Sequence, residues 1–365
     1  MKSYPIPMVP GPVQQPPEVL KALKTCYGSP DMETDFLELY NQTEKYLQEI
    51  YGTKNQIAIL SGEGMLVLWA AIKNCLLPGD KVIAISTGLF GYGLGKMAQA
   101  IGADVRFIEF PFNETVHDYE RIEQVISDFN PKMITLVHCE TPSGTLNPIK
   151  KIGELKQKFD VPLLIVDSVA SAGGAELKTD DWHIDMALGG SQKCMSAPAS
   201  LSFTSISPAA WDIINQVNYI GYDSLKGFKD AQENFYFPYT PNWHGIAALN
   251  AGAKRIIAEG LENAFERHKK VAAYTRERLI QMGLTLFPAV EAIQSPTVTA
   301  VKVPDHIEWQ KLDKAFRKHG LVVGGNYGQL AGKVFRLGHM GFQADKKLVK
   351  KALDIIENVM RKYRN

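Results

Sequence analysis

The sequence predicts an α/β fold in which a large, doubly wound and mostly parallel sheet is followed by a smaller α+β domain. Short apolar runs alternate with helical patterns from residue 57 to residue 206. These runs are continuously apolar, which is typical of parallel strands that are covered by helices on both faces. The length of 365 residues is enough for two domains.

Each apolar run is assigned as one strand of the large sheet. Seven strands are expected, at residues 57–60, 81–86, 105–110, 133–138, 163–167, 186–188 and 201–206. The helices around them are expected at residues 36–51, 64–77, 91–101, 118–128 and 149–159. Residues 243–282 have a helical pattern that breaks near Gly260 and leads into the smaller domain. That domain should contain strands at 297–303, 321–323 and 333–337, and helices at 308–318 and 345–362.

Three parts of the chain are expected from these patterns. The segment up to Pro17 contains six prolines and cannot form a helix before Glu18, so residues 1–17 are predicted to be an extended arm. We expect the arm to lie on another surface, for which a partner subunit is one candidate. Residues 18–258 are predicted to form the large domain and residues 259–365 the small domain.

The composition excludes several classes of protein. A net charge of +1, with no long Lys/Arg block, argues against nucleic-acid and membrane-surface partners. There is no run of 18 apolar residues and no apolar signal core at the start, so we expect neither a membrane span nor a secretory signal. Four cysteines without a Cys-x-x-Cys pair argue against a disulfide framework and against a zinc site. We therefore expect a cytoplasmic protein without a metal.

Lys193 is the most informative residue for function. It lies in a Gly189–Lys193 turn, and Asp167 ends the buried strand that precedes it by about 25 residues. A lysine amine can condense with an aldehyde, and an aspartate can hold the proton of a pyridinium ring. Most lysines are solvated surface charges. Lys193 instead stands between a small apolar strand and the uncharged segment 197–200, so the sequence predicts a pyridoxal-handling enzyme.

Other polar loops follow the same sheet edge. Segments 61–65, 87–91 and 138–144 each come directly after an expected strand. Ligands of open α/β sheets bind outside the carboxyl ends of the strands. We therefore expect these loops to meet Asp167 and Lys193.

With these motifs the chain resembles the class V aminotransferases of fold type I, in the alanine–glyoxylate aminotransferase branch. The resemblance covers nearly the whole length and includes Gly11-Pro12-Val13 and the segments 167–171, 190–193 and 336–338. It implies that Lys193 forms a Schiff base with the vitamer and shuttles a proton, while Asp167 pairs with the pyridine nitrogen. It further implies that Arg336 clamps the substrate carboxylate through a two-pronged hydrogen bond.

The same resemblance implies further contacts with the bound ring. Phe90 would stack on it, Val169 would pack beneath it, and Thr141 would form hydrogen bonds near the ring oxygen and Asp167. The remaining residues assigned to the cofactor site by this resemblance are Glu63, Gly64, Gln192 and Thr240.

The loop 61–65 departs from the family's phosphate site. The family usually has a small hydroxyl residue and a histidine there, whereas this chain has Glu63 and Met65. A carboxylate about 4 Å from one phosphate charge costs on the order of 4 kcal/mol at an effective dielectric near 20. In the loop 235–241, which family members contribute from the other subunit, Phe237 replaces an expected tyrosine while Thr240 is kept. Both losses favour an unphosphorylated vitamer.

These local features resemble a small group of the family, the pyridoxamine–pyruvate transaminases, in which pyridoxamine is a substrate. Glu63 would then accept a hydrogen bond from the hydroxymethyl group of the vitamer. One position departs from the group, because Tyr327 stands where a second arginine is expected. The predicted reaction is pyridoxamine plus pyruvate giving pyridoxal plus L-alanine, in a homodimer or homotetramer.

Three alternatives remain at this stage. One is an alanine–glyoxylate-type amino acid aminotransferase with tightly bound pyridoxal 5′-phosphate. Another is a nicotinamide oxidoreductase, because Gly88–Gly95 follows a strand and opens a helix, although its glycines do not fit a Gly-x-Gly-x-x-Gly register. The third is a binding protein without catalysis, which the combination of Lys193, Asp167 and Arg336 disfavours.

Overall fold

A computed structural model describes residues 4–363. Residues 1–3 of the predicted arm and residues 364–365 of the predicted small domain lie outside the described residues. The strands, in chain order, are β1 Ile6–Met8, β2 Gln56–Ser61, β3 Lys81–Ser86, β4 Asp104–Glu109, β5 Met133–Val137, β6 Cys139–Glu140, β7 Thr145–Leu146, β8 Leu163–Asp167, β9 Met186–Gly190, β10 Leu201–Ile206, β11 Val298–Lys302, β12 Leu321–Val323 and β13 Val334–Gly338.

Seven of these strands form the large sheet, in the order β2-β10-β9-β8-β5-β3-β4. Its neighbours are parallel except for β10, which runs antiparallel to β2 and to β9. The predicted fold class is confirmed. The central strands β5 and β8 are buried along their whole length, which explains their continuously apolar sequences.

Helices cover the sheet and build the second part of the molecule. They are α1 Pro17–Leu23, α2 Thr34–Tyr51, α3 Gly64–Cys75, α4 Leu89–Ala100, α5 Tyr119–Phe129, α6 Lys150–Lys158, α7 Pro208–Val217, α8 Trp243–Glu259, α9 Leu261–Gln281, α10 Trp309–Lys318 and α11 Lys346–Arg361. The predicted break near Gly260 separates α8 from α9, and Gly260 adopts a φ of 85° there. No helix among residues 4–363 is long and apolar enough to cross a membrane.

Two large apolar clusters form the interior. One packs under the large sheet and contains β2, β3, β5 and β8. The other joins α9, α10 and α11 to β11, β12 and β13. Strand β13 pairs antiparallel with β11, with Arg336 opposite Ala300.

The amino-terminal arm lies on its own chain. Ile6–Met8 pairs in parallel with Leu321–Val323, and both Ile6 and Met8 belong to the second apolar cluster. Further on, the Val13 amide donates to the Gln192 carbonyl at 3.1 Å. The described part of the arm therefore packs on the second cluster and reaches the segment that carries Lys193.

Candidate active site

A pocket opens at the carboxyl ends of the central strands and collects most of the predicted site residues. The segment between β2 and α3 forms one side of the pocket, and the segments that follow β5, β8 and β9 form its floor. Its lining residues are Glu63, Gly64, Met65, Leu68, Phe90, Cys139, Thr141, Asp167, Val169, Ala170, Gln192 and Lys193. The three loops predicted to meet Asp167 and Lys193 do meet them.

Lys193 is enclosed between this pocket and the arm. Its Nζ donates a hydrogen bond to the Pro10 carbonyl at 2.6 Å. Burial lowers the pKa of the amine, and the positive charge of Arg336 lowers it further. A neutral amine is the form that attacks a carbonyl carbon, so the surroundings prepare Lys193 for that step.

Asp167 ends β8 beneath the same pocket. Its Oδ1 accepts from the Val169 amide at 2.9 Å. Burial raises the pKa of this carboxyl group to about 6, although the amide bond and the charge of Lys193 act in the opposite direction. A positive ring nitrogen beside it would favour the ionised form.

Glu63 stands directly before α3 and faces the pocket. It occupies the N-cap position, yet its side chain makes no capping hydrogen bond to the helix. Its Oε2 instead accepts from Gln192 Nε2 at 3.0 Å. Behind this pair, a Cβ on Gly64 would lie 3.1 Å from Val169 Cγ1. The carboxylate is therefore oriented toward the pocket rather than used to cap its own helix.

Glu140 is a functional candidate that the sequence reasoning missed. It is fully buried, and its carboxylate accepts from the Gly91 amide at 2.7 Å and from the Phe90 amide at 3.3 Å. Burial raises its pKa to about 7, against the effect of these two bonds. Glu140 thus fixes the start of α4, where Phe90 lines the pocket. The available signal was its place in the polar loop after β5, next to Thr141.

Arg336 lies near the pocket without lining it. Its side chain is on the buried strand β13, and its Nε donates to the Gly325 carbonyl at 2.8 Å. The guanidinium carbon lies 5.0 Å from the centre of the Tyr327 ring. Within residues 4–363 Arg336 makes no ion pair with a carboxylate, and burial lowers its pKa. It is therefore available for an anionic substrate.

Thr240 is not brought to the pocket of its own chain. Its Oγ1 donates to Asp31 Oδ2 at 3.2 Å, away from the residues that line the pocket. The neighbouring Phe237 packs against Tyr40 with ring centres 4.9 Å apart, so it is a core residue here. The described chain therefore does not bring Thr240 to the pocket that Lys193 lines.

Gly88, directly before α4, and Gly91, within it, serve close packing. A Cβ on Gly91 would lie 3.0 Å from the Cα of Ser86. A Cβ on Gly88 would lie 2.7 Å from Glu140 Cδ. Gly91 therefore lets α4 approach β3 closely, and Gly88 leaves room for the Glu140 carboxylate.

The pocket fits a pyridoxal ring. Lys193 and Asp167 open into one pocket whose other lining residues include Phe90, Val169 and Leu68. A bound pyridoxal ring supplies an aldehyde and a positively charged ring that accepts electrons. Within residues 4–363 there is no group of three or more His, Cys, Asp or Glu side chains that could hold a metal ion.

Comparison with known proteins identifies the family. The sequence model described as aminotransferase class-V matches residues 9–336. The chain belongs to the class V aminotransferase family. Members of this family use pyridoxal phosphate. Together with the geometry of Lys193 and Asp167, this makes the protein an aminotransferase.

Individual relatives cover almost the whole chain. An uncharacterised aminotransferase of Methanocaldococcus jannaschii is 36% identical over 351 residues, or 94% of this chain and 89% of that protein. The pyridoxamine–pyruvate transaminase of Mesorhizobium japonicum is 32% identical over 341 residues, or 92% and 86%. The solved structure of an alanine–glyoxylate aminotransferase from Nostoc sp. has a TM-score of 0.94 and 31% identity, covering 99% of this chain and 96% of that one.

Proposed function

We propose that this aminotransferase interconverts pyridoxamine plus pyruvate with pyridoxal plus L-alanine. The observation that carries the proposal is the orientation of Glu63. In this loop a resident phosphate would need donors and positive charge, whereas Glu63 presents a carboxylate held by Gln192. The hydroxymethyl group of the unphosphorylated vitamer can donate a hydrogen bond, which a carboxylate can accept.

The electrostatics of the pocket support the unphosphorylated vitamer. Lys193 is the only lysine or arginine among the described lining residues, and its amine is needed for chemistry. Among these lining residues no other cation offsets a contact between Glu63 and a phosphate, which costs on the order of 4 kcal/mol per pair of unit charges at about 4 Å. The amide N–H groups at the start of α3 offset only part of that cost.

Each remaining residue has a role that follows from its place. The Lys193 amine would bind the aldehyde carbon of pyridoxal until the substrate amine displaces it, and the freed amine would then move the proton between that carbon and the α-carbon of the substrate. Asp167 keeps the ring nitrogen protonated, and Phe90, Val169 and Thr141 hold the ring. We assign Arg336 to the substrate carboxylate, with Tyr327 against its guanidinium where the pyridoxamine–pyruvate group has a second arginine.

The experiment is a paired titration of the vitamer-free protein with pyridoxal and with pyridoxal 5′-phosphate, followed by absorbance. We expect tighter binding of pyridoxal, loss of both signals in Lys193→Ala, and alanine formation when pyridoxamine and pyruvate are supplied. Glu63→Ser should reverse the preference toward the phosphate form. The matched control is Glu120→Ser, an exposed glutamate that lines neither this pocket nor another described cleft. A fully active Lys193→Ala would contradict the assignment of the lysine.

The second candidate is an amino acid aminotransferase of the alanine–glyoxylate type, with pyridoxal 5′-phosphate as a tightly bound cofactor. The uncapped start of α3 favours it, because free amide N–H groups there suit a phosphate. Much tighter binding of the phosphate form by the unaltered protein, with little change in Glu63→Ser, would select this candidate.

The cellular setting follows as part of the same proposal. We infer a homodimer or homotetramer in the cytoplasm, with small-molecule substrates and with neither nucleic acid nor membrane as a partner. The net charge of +1 supports the absence of polyanionic partners.

A further inference from the structure

A second cleft lies away from Lys193, between the loop after β5 and helix α9. It is lined by His138, Leu146, Asn147, Pro148, Ile149, Lys150, Ala175, Glu176, Trp182, Lys269, Arg276, Ile293, Gln294 and Pro296. None of these residues lines the pocket of Lys193. The chemistry proposed above uses none of them.

Positive charge faces this cleft without being neutralised. Arg276 is half-buried and donates from Nη1 to the Ser295 carbonyl at 3.0 Å. No carboxylate pairs with it within residues 4–363, and burial lowers its pKa. Lys150 and Lys269 lie exposed at the rim. The facing acid, Glu176, is paired with Lys178 at 2.9 Å.

The floor of the cleft adds two features that point to a ligand. His138 is 3% exposed, and its Nδ1 has no hydrogen-bond partner among the described residues. The nine-residue helix α6 also begins at the cleft, and its N-cap residue Ile149 offers no side-chain cap. Buried polar groups are normally satisfied, and the start of a helix attracts anions.

The rest of the lining is apolar and partly aromatic. The Trp182 ring stands edge-on to His138, with ring centres 6.0 Å apart. Ile149 and Pro296 are buried beside it, and Ile293 lies exposed at the opening. A ligand with only an anionic group would leave this surface unused. An apolar body attached to the anion would bury it.

We propose that this cleft is a second binding site, specific for small organic carboxylates with an aromatic or branched apolar body. Arg276 provides the charged contact to the carboxylate, with Lys150, Lys269 and the start of α6 around it. Trp182, Ile149 and Pro296 hold the apolar body. Because the His138 amide donates to the Asp167 carbonyl at 2.8 Å, the floor of this site is joined directly to the strand that carries Asp167.

The test is a ¹⁹F NMR titration of the full chain with 4-fluorobenzoate, with 4-fluorobenzyl alcohol as the uncharged probe. We expect saturable binding of the benzoate and much weaker binding of the alcohol. Arg276→Gln should weaken benzoate binding about tenfold or more, which is the effect of losing one charge-assisted hydrogen bond. Lys270→Gln is the matched control, because Lys270 is exposed, lies outside the cleft and pairs with Glu266 at 3.4 Å.

A third variant separates this cleft from the catalytic pocket. Arg336→Gln should leave benzoate binding unchanged if the probe occupies the second cleft, and should abolish it if the probe occupies the pocket of Lys193. Three results would each overturn the proposal: loss of benzoate binding in Arg336→Gln, equal binding of the alcohol, or unchanged benzoate binding in Arg276→Gln. If Arg276→Gln fails to fold, the double variant Lys150→Gln/Lys269→Gln serves instead, with several-fold weaker binding expected.

Discussion

At the scale of single residues, the site contains carboxyl groups that the fold destabilises in their ionised form. Burial raises the pKa of Asp167 to about 6 and that of Glu140 to about 7. In the unfolded chain such groups ionise near pH 4. Between pH 4 and the raised pKa of each group, the unfolded chain therefore binds fewer protons than the folded protein does. The stability contributed by each group therefore falls as the pH rises through that interval.

The first prediction concerns Asp167→Asn in the vitamer-free protein. The amide oxygen can keep the bond from the Val169 amide, while the charge is removed. The variant should gain on the order of 3 kcal/mol of unfolding free energy above pH 6, from a pKa shift of about two units, and should lose transamination. Urea unfolding between pH 4.5 and pH 8 measures the gain, which should shrink toward the acidic end.

Asp185→Asn is the control for this prediction. Asp185 is also buried, but it pairs with Lys156 at 3.2 Å and accepts from the Leu164 amide at 2.7 Å. Removing its charge leaves Lys156 unpaired, so this variant should be less stable by a few kcal/mol. If Asp167→Asn is destabilised in the same way, Asp167 has a structural role and its buried charge does not cost the fold stability.

At the scale of elements, the periodicity of the sequence predicts the large sheet well, because each strand is a short apolar run between turn residues. Helix α7 was missed, although Ser207 accepts from the Ala210 amide as its N-cap and Pro208 stands at its first position. Strand β1 could not be predicted in this way. It has three residues, and its only partner in the sheet order is β12, near the other end of the chain.

The same limit applies to the site. Lys193 and Asp167 were predictable because the chemistry needs an amine and a carboxylate at the ends of buried strands. The role of Glu140 depends on its distance from the start of α4, and a sequence pattern does not contain that distance. The contact between Pro10 and Lys193 likewise depends on the pairing of β1 with β12, which places the arm beside the pocket.

The second prediction concerns the arm as an element that covers Lys193. Gly11 has a φ of 91°, and a Cβ there would lie 2.6 Å from Lys193 Cδ and 2.8 Å from its Nζ. Gly11→Ala should therefore displace either the arm or the lysine and weaken the binding of pyridoxal about tenfold or more, by analogy with other steric changes of 1–3 kcal/mol. The titration with pyridoxal measures it.

Gly79→Ala is the matched control for the arm. Gly79 has nearly the same backbone conformation, with a φ of 87°, but no atom lies within 4 Å of a Cβ placed there. Both variants should lose about 1 kcal/mol of stability from backbone strain. Only Gly11→Ala should change pyridoxal binding, and equal binding by the two variants would contradict the covering role of the arm.

At the scale of the whole molecule, one chain holds most of the proposed site but not all of it. Glu63, Asp167 and Lys193 meet in one pocket, whereas Thr240 bonds to Asp31 elsewhere on the surface. Thr240 lies on an exposed loop, and the chain resembles enzymes whose sites lie between subunits. We therefore predict that Thr240 serves the pocket of a partner subunit.

The third prediction tests this by mixing two inactive variants. Lys193→Ala lacks the amine, and Thr240→Lys carries a long charged side chain into the pocket of the partner. If Thr240 serves the other subunit, a mixed dimer contains one pocket with both defects and one pocket with neither, so unfolding and refolding the two chains together should restore activity. About a quarter of the unaltered specific activity is expected from random pairing, since half of the dimers are mixed and each has one intact pocket. If each site is built from one chain, no mixture has an intact pocket, and activity stays at the level of the separate variants.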